Sequence, residues 1–210
     1  MVRVLIADDH EIVLAGVRRL CENSPGLEVV AEASEGQGAI DKAIETQPDI
    51  AIIDFSLPVK NGAEVARAIR EKSANTQVLI YTMHDNDIVV EEVLRSGAQG
   101  YVVKGSPTNA LLDAIFALAA HRPYFSDSIA SKLVGNLTHE HADGSVRLSS
   151  RERSVVQLIA EGYSNKQIGR LLKVTLKTVE SHRAAIMKKL GAKSSADLVR
   201  YAIRNYLIEP

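Results

Sequence analysis

The most constraining feature of this chain is an alternation repeated five times between Val2 and Arg122. A short apolar run is followed each time by a segment with apolar residues at helical spacing. The runs are VRVLIA, LEVVAEA, IAII, QVLIY and YVV. The helical sets are Ile12, Val13, Val17 and Leu20; Ile40, Ala43 and Ile44; Val65, Ala66 and Ile69; Val89, Val90, Val93 and Leu94; and Leu111, Leu112, Ile115 and Leu118. Near-continuous apolar runs suit strands covered on both faces, and neighbouring parallel strands need a crossover, usually a helix, to join them. The expectation is an α/β unit over residues 1–122, a doubly wound five-stranded parallel sheet in the order 2-1-3-4-5.

Sheets of this kind carry their chemistry at the carboxyl ends of the strands. Here those ends hold Asp8 and Asp9, Asp54, Thr82 and Lys104. Any one of them has an ordinary explanation, since an aspartate after a strand often caps a helix and a lone lysine usually faces water. Their recurrence at four strand ends points instead to one shared pocket. Adjacent carboxylates with a third nearby suit Mg²⁺, with Asp9 and Asp54 as direct ligands and Asp8 acting through water. If the pocket accepts a phosphoryl group, Asp54 is the nucleophile and Lys104 the counter-charge. Metal binding, hydrolysis and phosphoryl capture all use such a cluster, and the residues alone leave the three open.

The alternation stops after His121-Arg122-Pro123. Residues 123–147 read as a linker containing the polar stretch THEHADGS, with a short helix expected from Asp127 to Val134. Residues 148–210 are helical throughout. Ser149 with Glu152 and Ser164 with Gln167 have capping-box spacing, Thr175 and Ser194 or Ser195 are simple N-caps, and Gly162 and Gly191 stand where helices end. A helix at Asn165–Leu172, a turn at Lys173-Val174 and a helix at Leu176–Leu190 have the layout of a helix-turn-helix. On a helical wheel Val179, Ile186 and Leu190 share the inward face. Lys177, Ser181, Ala184 and Lys188, with Glu180 beside them, share the outward one. Small residues let a helix sit deep in the major groove, and lysines reach phosphates.

Charge divides along the same boundary. Residues 1–122 hold 11 Lys and Arg against 18 Asp and Glu, a net of −7, whereas residues 148–210 hold 12 against 5, a net of +7. Opposite excesses of this size imply different partners for the two halves. The single cysteine, Cys21, lies on the inward side of the first helix and reads as a small buried hydrophobe. No apolar stretch reaches the roughly 20 residues that span a bilayer, so a cytoplasmic location is the expectation.

The motifs IADDH, IIDFSLP, the strand-end Thr82 and GYVVKG resemble the receiver domain of two-component response regulators. LSSRERSVVQLIAEGYSNKQIG and TVESHRAAIMKKL are similar to the LuxR-type module of the NarL/FixJ response regulators. The resemblance implies that Asp54 is the phosphoacceptor and that Asp8 and Asp9 are the acid pair. The Ser56 backbone carbonyl would complete the Mg²⁺ site, Thr82 and Tyr101 would be paired switch residues, and Lys104 the lysine of the pocket. It further implies a sensor histidine kinase and double-stranded DNA as partners, with DNA contacts at Lys177, Thr178, Glu180, Ser181, Ala184 and Lys188, those to base edges coming from Glu180, Ser181 and Ala184. A homodimer would form through the last helix at Val199 or Ala202. One departure is that Lys104 is followed by Gly105-Ser106-Pro107, where many relatives have a proline directly after the lysine. The implied protein is a DNA-binding regulator and not an enzyme. A phosphorylation-independent regulator and a Mg²⁺-dependent phosphohydrolase are the alternatives.

Overall fold

The computed structural model describes residues 1–126, 129–131 and 148–208. The chain divides into two compact units, Met1–His141 and Ala142–Pro210. In the first, β1 (Val2–Ala7), β2 (Leu27–Ala33), β3 (Ile50–Ile53), β4 (Gln77–Thr82) and β5 (Gly100–Val103) alternate with α1 (Glu11–Glu22), α2 (Gly36–Thr46), α3 (Gly62–Lys72), α4 (Asp87–Ser96) and α5 (Thr108–Ala119). A sixth strand, β6 (Tyr124–Phe125), follows, and the sheet order is β2-β1-β3-β4-β5-β6, parallel throughout.

The five expected strands and their order are present. The sheet continues past residue 122, however, into the segment expected to be linker. Tyr124 pairs with Gly100 and Phe125 with Tyr101. A two-residue strand after a proline has no periodicity to betray it; only a neighbouring edge with free backbone groups makes it a strand. Of the helix expected at Asp127–Val134, Ile129–Ser131 are helical and the rest lies outside the described residues, as does most of the expected linker.

β3 is buried along its whole length, as a central strand covered by helices on both faces should be. One face packs Val4, Ile6, Ile52 and Leu79 against Val17 and Cys21 of α1 and Ile115 and Leu118 of α5. Two residues expected in the inward stripes face outward. Ile12 is exposed because the stripe of α1 runs through Val13, Val17, Leu20 and Cys21, and Ile44 is partly exposed at the margin of the Ile40–Ala43 face. Asn61 and Asn86 cap α3 and α4, accepting from the backbone N–H of Glu64 and Val89 at 2.9 and 3.1 Å.

The second unit contains α6 (Ser150–Ala160), α7 (Asn165–Leu171), α8 (Leu176–Leu190) and α9 (Ser195–Arg204). Capping boxes close at Ser149/Glu152 and Ser164/Gln167, and a third, resolving the choice of cap in favour of Ser194, closes with Asp197. Thr175 caps α8, and Gly162 and Gly191 take positive φ of 88° and 63° at helix ends. The α7–α8 turn needs a close approach. A side chain at Gly169 would put its Cβ 2.9 Å from the Val174 carbonyl oxygen, which instead leaves room for the Val174 N–H to bond Gly169 O at 2.8 Å. Lys173 supplies the left-handed residue there, with φ 54°. Val179 and Ile186 are buried with Ile168 and Leu198, while Leu190 is only half-buried.

Candidate functional site: a strand-end acidic pocket and an outward helix face

Strand order reverses between β2 and β3, because both pair with β1, and the crevice opens beyond their carboxyl ends. Register then decides which residues meet there. Ala7 pairs with Ile53, and the Asp54 N–H donates to Ala7 O at 2.8 Å, so Asp8 and Asp54 leave adjacent strands side by side. Thr82 pairs with Val103, and the Lys104 N–H donates to Thr82 O at 2.8 Å. The four predicted positions are thus neighbours by sheet geometry.

Asp8 and Asp54 are each only 2% exposed. Lys104 Nζ lies 2.7 Å from Asp8 Oδ2 and 3.3 Å from Asp54 Oδ1, one ammonium between two carboxylates. Neither Asp54 oxygen accepts a hydrogen bond of ordinary geometry among the described residues. Burial pushes the Asp54 carboxyl up to about 6, with Lys104 pulling it back and Asp8 adding to the rise. For Lys104 burial works against the charge, but Asp54 and Asp8 outweigh it and hold the ammonium above the ordinary lysine value. Asp9 is more exposed. His10 Nδ1 sits 3.0 Å from Asp9 Oδ1 and 3.2 Å from Asp8 Oδ1, and the Asp9 carboxylate, against some desolvation and with help from Asp8, holds the imidazole above its usual value.

One ligand atom from each of Asp8, Asp9 and His10 falls within 4.8 Å of the others. Buried carboxylate oxygens short of donors, beside two further acids, are a hard-oxygen set of the kind a small divalent cation takes up. Ser56 is buried on the β3–α3 loop, and its Oγ contacts His84 Nε2 at 2.9 Å. Thr82 is fully buried and its Oγ1 accepts from the His84 N–H at 3.4 Å. Tyr101 is fully buried with its ring inward, and its hydroxyl donates to the His84 carbonyl at 2.8 Å. Burial, above all, raises its pKa. His84, which meets three of the predicted residues, is the one that sequence reasoning missed. A histidine two positions past a strand end has no signal in spacing; only the fold brings Ser56 to its ring.

In the second unit Lys177, Glu180, Ser181, Ala184 and Lys188 are exposed along α8. Thr178 is half-buried, with its hydroxyl 2.8 Å from the capping Thr175 hydroxyl, so the capping interaction engages it. On α9 Val199 is half-exposed. Ala202 is fully buried in its own domain, so of the two residues expected at a dimer contact Val199 is the one with exposed surface. The Ala202 carbonyl accepts the Leu207 N–H at 2.9 Å, folding the chain end back over it.

A doubly wound sheet with an acid cluster and an ammonium at its strand ends, followed by a separate helix-turn-helix, defines a receiver-type regulator of DNA. Residues 4–116 match the response regulator receiver domain family, and residues 146–202 match the bacterial regulatory proteins of the luxR family. The oxygen regulatory protein NreC of Staphylococcus haemolyticus (strain JCSC1435) is 37% identical over 215 residues, covering 99% of both chains. A LuxR-family two-component response regulator from Aurantimonas sp. SI85-9A1 superposes with a TM-score of 0.63 at 38% identity, over 66% of this chain and 99% of that one. RcsB from Salmonella enterica serovar Typhimurium, bound to promoter rprA in the presence of phosphomimetic BeF₃⁻, gives 0.67 at 27% identity over 95% and 97%. The chain belongs to the response regulators that join a receiver to a LuxR-type DNA-binding domain, and is homologous to the NreC oxygen regulatory proteins. Among the described residues no helix is long and apolar enough to cross a membrane.

Proposed function

We propose that Asp54 accepts a phosphoryl group from a sensor histidine kinase and that its modification controls DNA binding by the second unit. The observation that carries this is Asp54 itself, a buried carboxylate whose oxygens lack ordinary hydrogen bonds, set beside one ammonium and two further acids. An Asp54 oxygen attacks phosphorus, a P–O bond forms, and the donor's P–N bond breaks with the leaving nitrogen taking up a proton. Burial raises the Asp54 pKa, and the Lys104 ammonium beside it favours the carboxylate, the form that attacks phosphorus.

Asp9, Asp54 and the Ser56 carbonyl would hold Mg²⁺, with Asp8 acting through water. The bound cation supplies charge neutralisation at the phosphoryl oxygens. Lys104 holds the acids together before reaction and offers its ammonium to the transferred group. Thr82, at the next strand end, offers a hydroxyl to the same oxygens, and Tyr101 moves in concert with it. Lys177 and Lys188 contact DNA phosphates, while Glu180, Ser181 and Ala184 face base edges, with Thr178 at the helix start. RcsB dimers bound to DNA support a homodimer here, with Val199 at the contact. These roles make the chain a cytoplasmic phosphorylation-controlled transcription regulator. Incubation with Mg²⁺ and a small phosphodonor, followed by intact mass, tests the reading: one phosphoryl group on the wild type and none on Asp54→Asn is expected. An unmodified wild type would overturn it.

A further inference from the structure

His84 lies two residues past Thr82, in the loop between β4 and α4, and it touches three walls of the pocket. Its Nε2 is 2.9 Å from Ser56 Oγ, its carbonyl accepts the Tyr101 hydroxyl at 2.8 Å, and its N–H reaches Thr82 Oγ1 at 3.4 Å. The ring also stands edge-on to the buried Phe55, at a centroid distance of 6.2 Å and an angle of 84°. These partners come from the ends of β3 and β4 and from β5, and 28 residues of chain separate Ser56 from His84. Sheet register places the strand ends but dictates none of these side-chain contacts.

We infer that His84 is a positioning residue that couples cation binding to the position of Tyr101. The inference rests on the proposed Mg²⁺ and phosphoryl site and deepens it. A backbone carbonyl is only as well placed for a cation as the loop that carries it. His84 Nε2 holds the Ser56 side chain, and Phe55 limits how far the ring can slide. The carbonyl of the same residue holds Tyr101 inward. Ring and carbonyl share one short loop, so a shift that releases the Tyr101 hydroxyl also draws the imidazole from Ser56. Cation affinity and the inward state of Tyr101 are then linked, and the linkage is reciprocal.

Full-length protein carrying 3-fluorotyrosine tests this, with the Tyr101 resonance identified from Tyr101→Phe and Mg²⁺ titrated by calorimetry and NMR. In His84→Ala, Mg²⁺ affinity falls about three- to tenfold, the effect of one lost hydrogen bond, and the Tyr101 resonance moves. His84→Gln, whose amide group reaches where Nε2 lay and can donate or accept there, restores most of both, with thermal midpoints unchanged. Wild-type affinity and an unmoved resonance in His84→Ala would overturn the inference. Equal losses in both variants with lowered midpoints would also overturn it, reducing His84 to packing. A wild type that neither binds Mg²⁺ nor takes a phosphoryl group would instead remove the proposed function, and the coupling with it.

Discussion

Asp54 is better arranged for reaction than for folding. A buried charge without full hydrogen bonding costs stability, and an isosteric amide removes that charge. Asp54→Asn is therefore expected to raise the unfolding free energy of the first unit in chelated buffer by an amount on the order of 1–2 kcal/mol, with a higher melting midpoint, and Mg²⁺ should stabilise the wild type more than the variant. Thermal melts with and without Mg²⁺ check both statements. Cys21 is the opposite case. Burial, with a small contribution from Glu22, pushes its thiol up to about 11 and leaves it no exposed surface. At about pH 8 it should resist a thiol reagent in the native protein and react fully once denatured. Both residues were legible from their surroundings in the chain, Asp54 because it ends an apolar run and Cys21 because it shares a helix face with Val17. His84 was not, because its partners depend on two loops meeting.

Elements meet the pocket through close backbone packing as much as through side chains. At Gly62, the first residue of α3, an added Cβ would run into the Asp54 carbonyl oxygen and lie 2.8 Å from Phe55 Cα. Gly62→Ala must push α3 away from the end of β3, at an expected cost of about 1–3 kcal/mol, and displace Asp54 enough to slow phosphoryl uptake. Chemical denaturation and phosphorylation rates would measure the two effects. In the second unit the starts of α6 and α9 depend on carboxylates. The Ser149 N–H, with Lys189 also contributing, holds Glu152 below its ordinary 4.5, and the Lys193 N–H, with Ser194 and Arg200, holds Asp197 below 3.8. For a depressed acid the folded state binds fewer protons. The contribution is complete above the unfolded value and is lost as pH falls through the lower folded one. The second unit's melting midpoint should therefore decline as pH drops below about 4.5, and Glu152→Gln should flatten part of that decline. The box at Ser149 and Glu152 was readable as spacing, since a capping box is local, whereas at Ser194 only a simple cap was expected and the box with Asp197 came from the structure. β6 was not readable, because a strand of two residues exists only where a partner edge stands ready.

At the scale of the whole molecule the charge division predicts how DNA binding responds to salt. Each lysine on the exposed face of α8 that neutralises a phosphate releases counterions, so Lys177→Ala or Lys188→Ala should reduce the slope of log affinity against log salt by about 1 and weaken binding to all sequences alike. Glu180→Ala should instead alter the preferred base at one position, because a carboxylate there can accept from cytosine N4. Salt titration by anisotropy and a binding-site selection separate the two kinds of contact. The sequence by itself determined whatever is encoded within a few residues: the periods that distinguish strand from helix, the caps and turns, the acidic and basic halves, and the acids, hydroxyl and amine that end the strands. Parallel pairing then had few solutions, so strand order was legible as well. Only the tertiary structure decided that the Asp54 oxygens are short of well-formed hydrogen bonds, that one ammonium lies between Asp8 and Asp54, that Ala202 is interior while Ile12 is exposed, and that His84 joins Ser56 to Tyr101. Those outcomes depend on distances between segments remote in the chain, and a local pattern of side chains does not contain them.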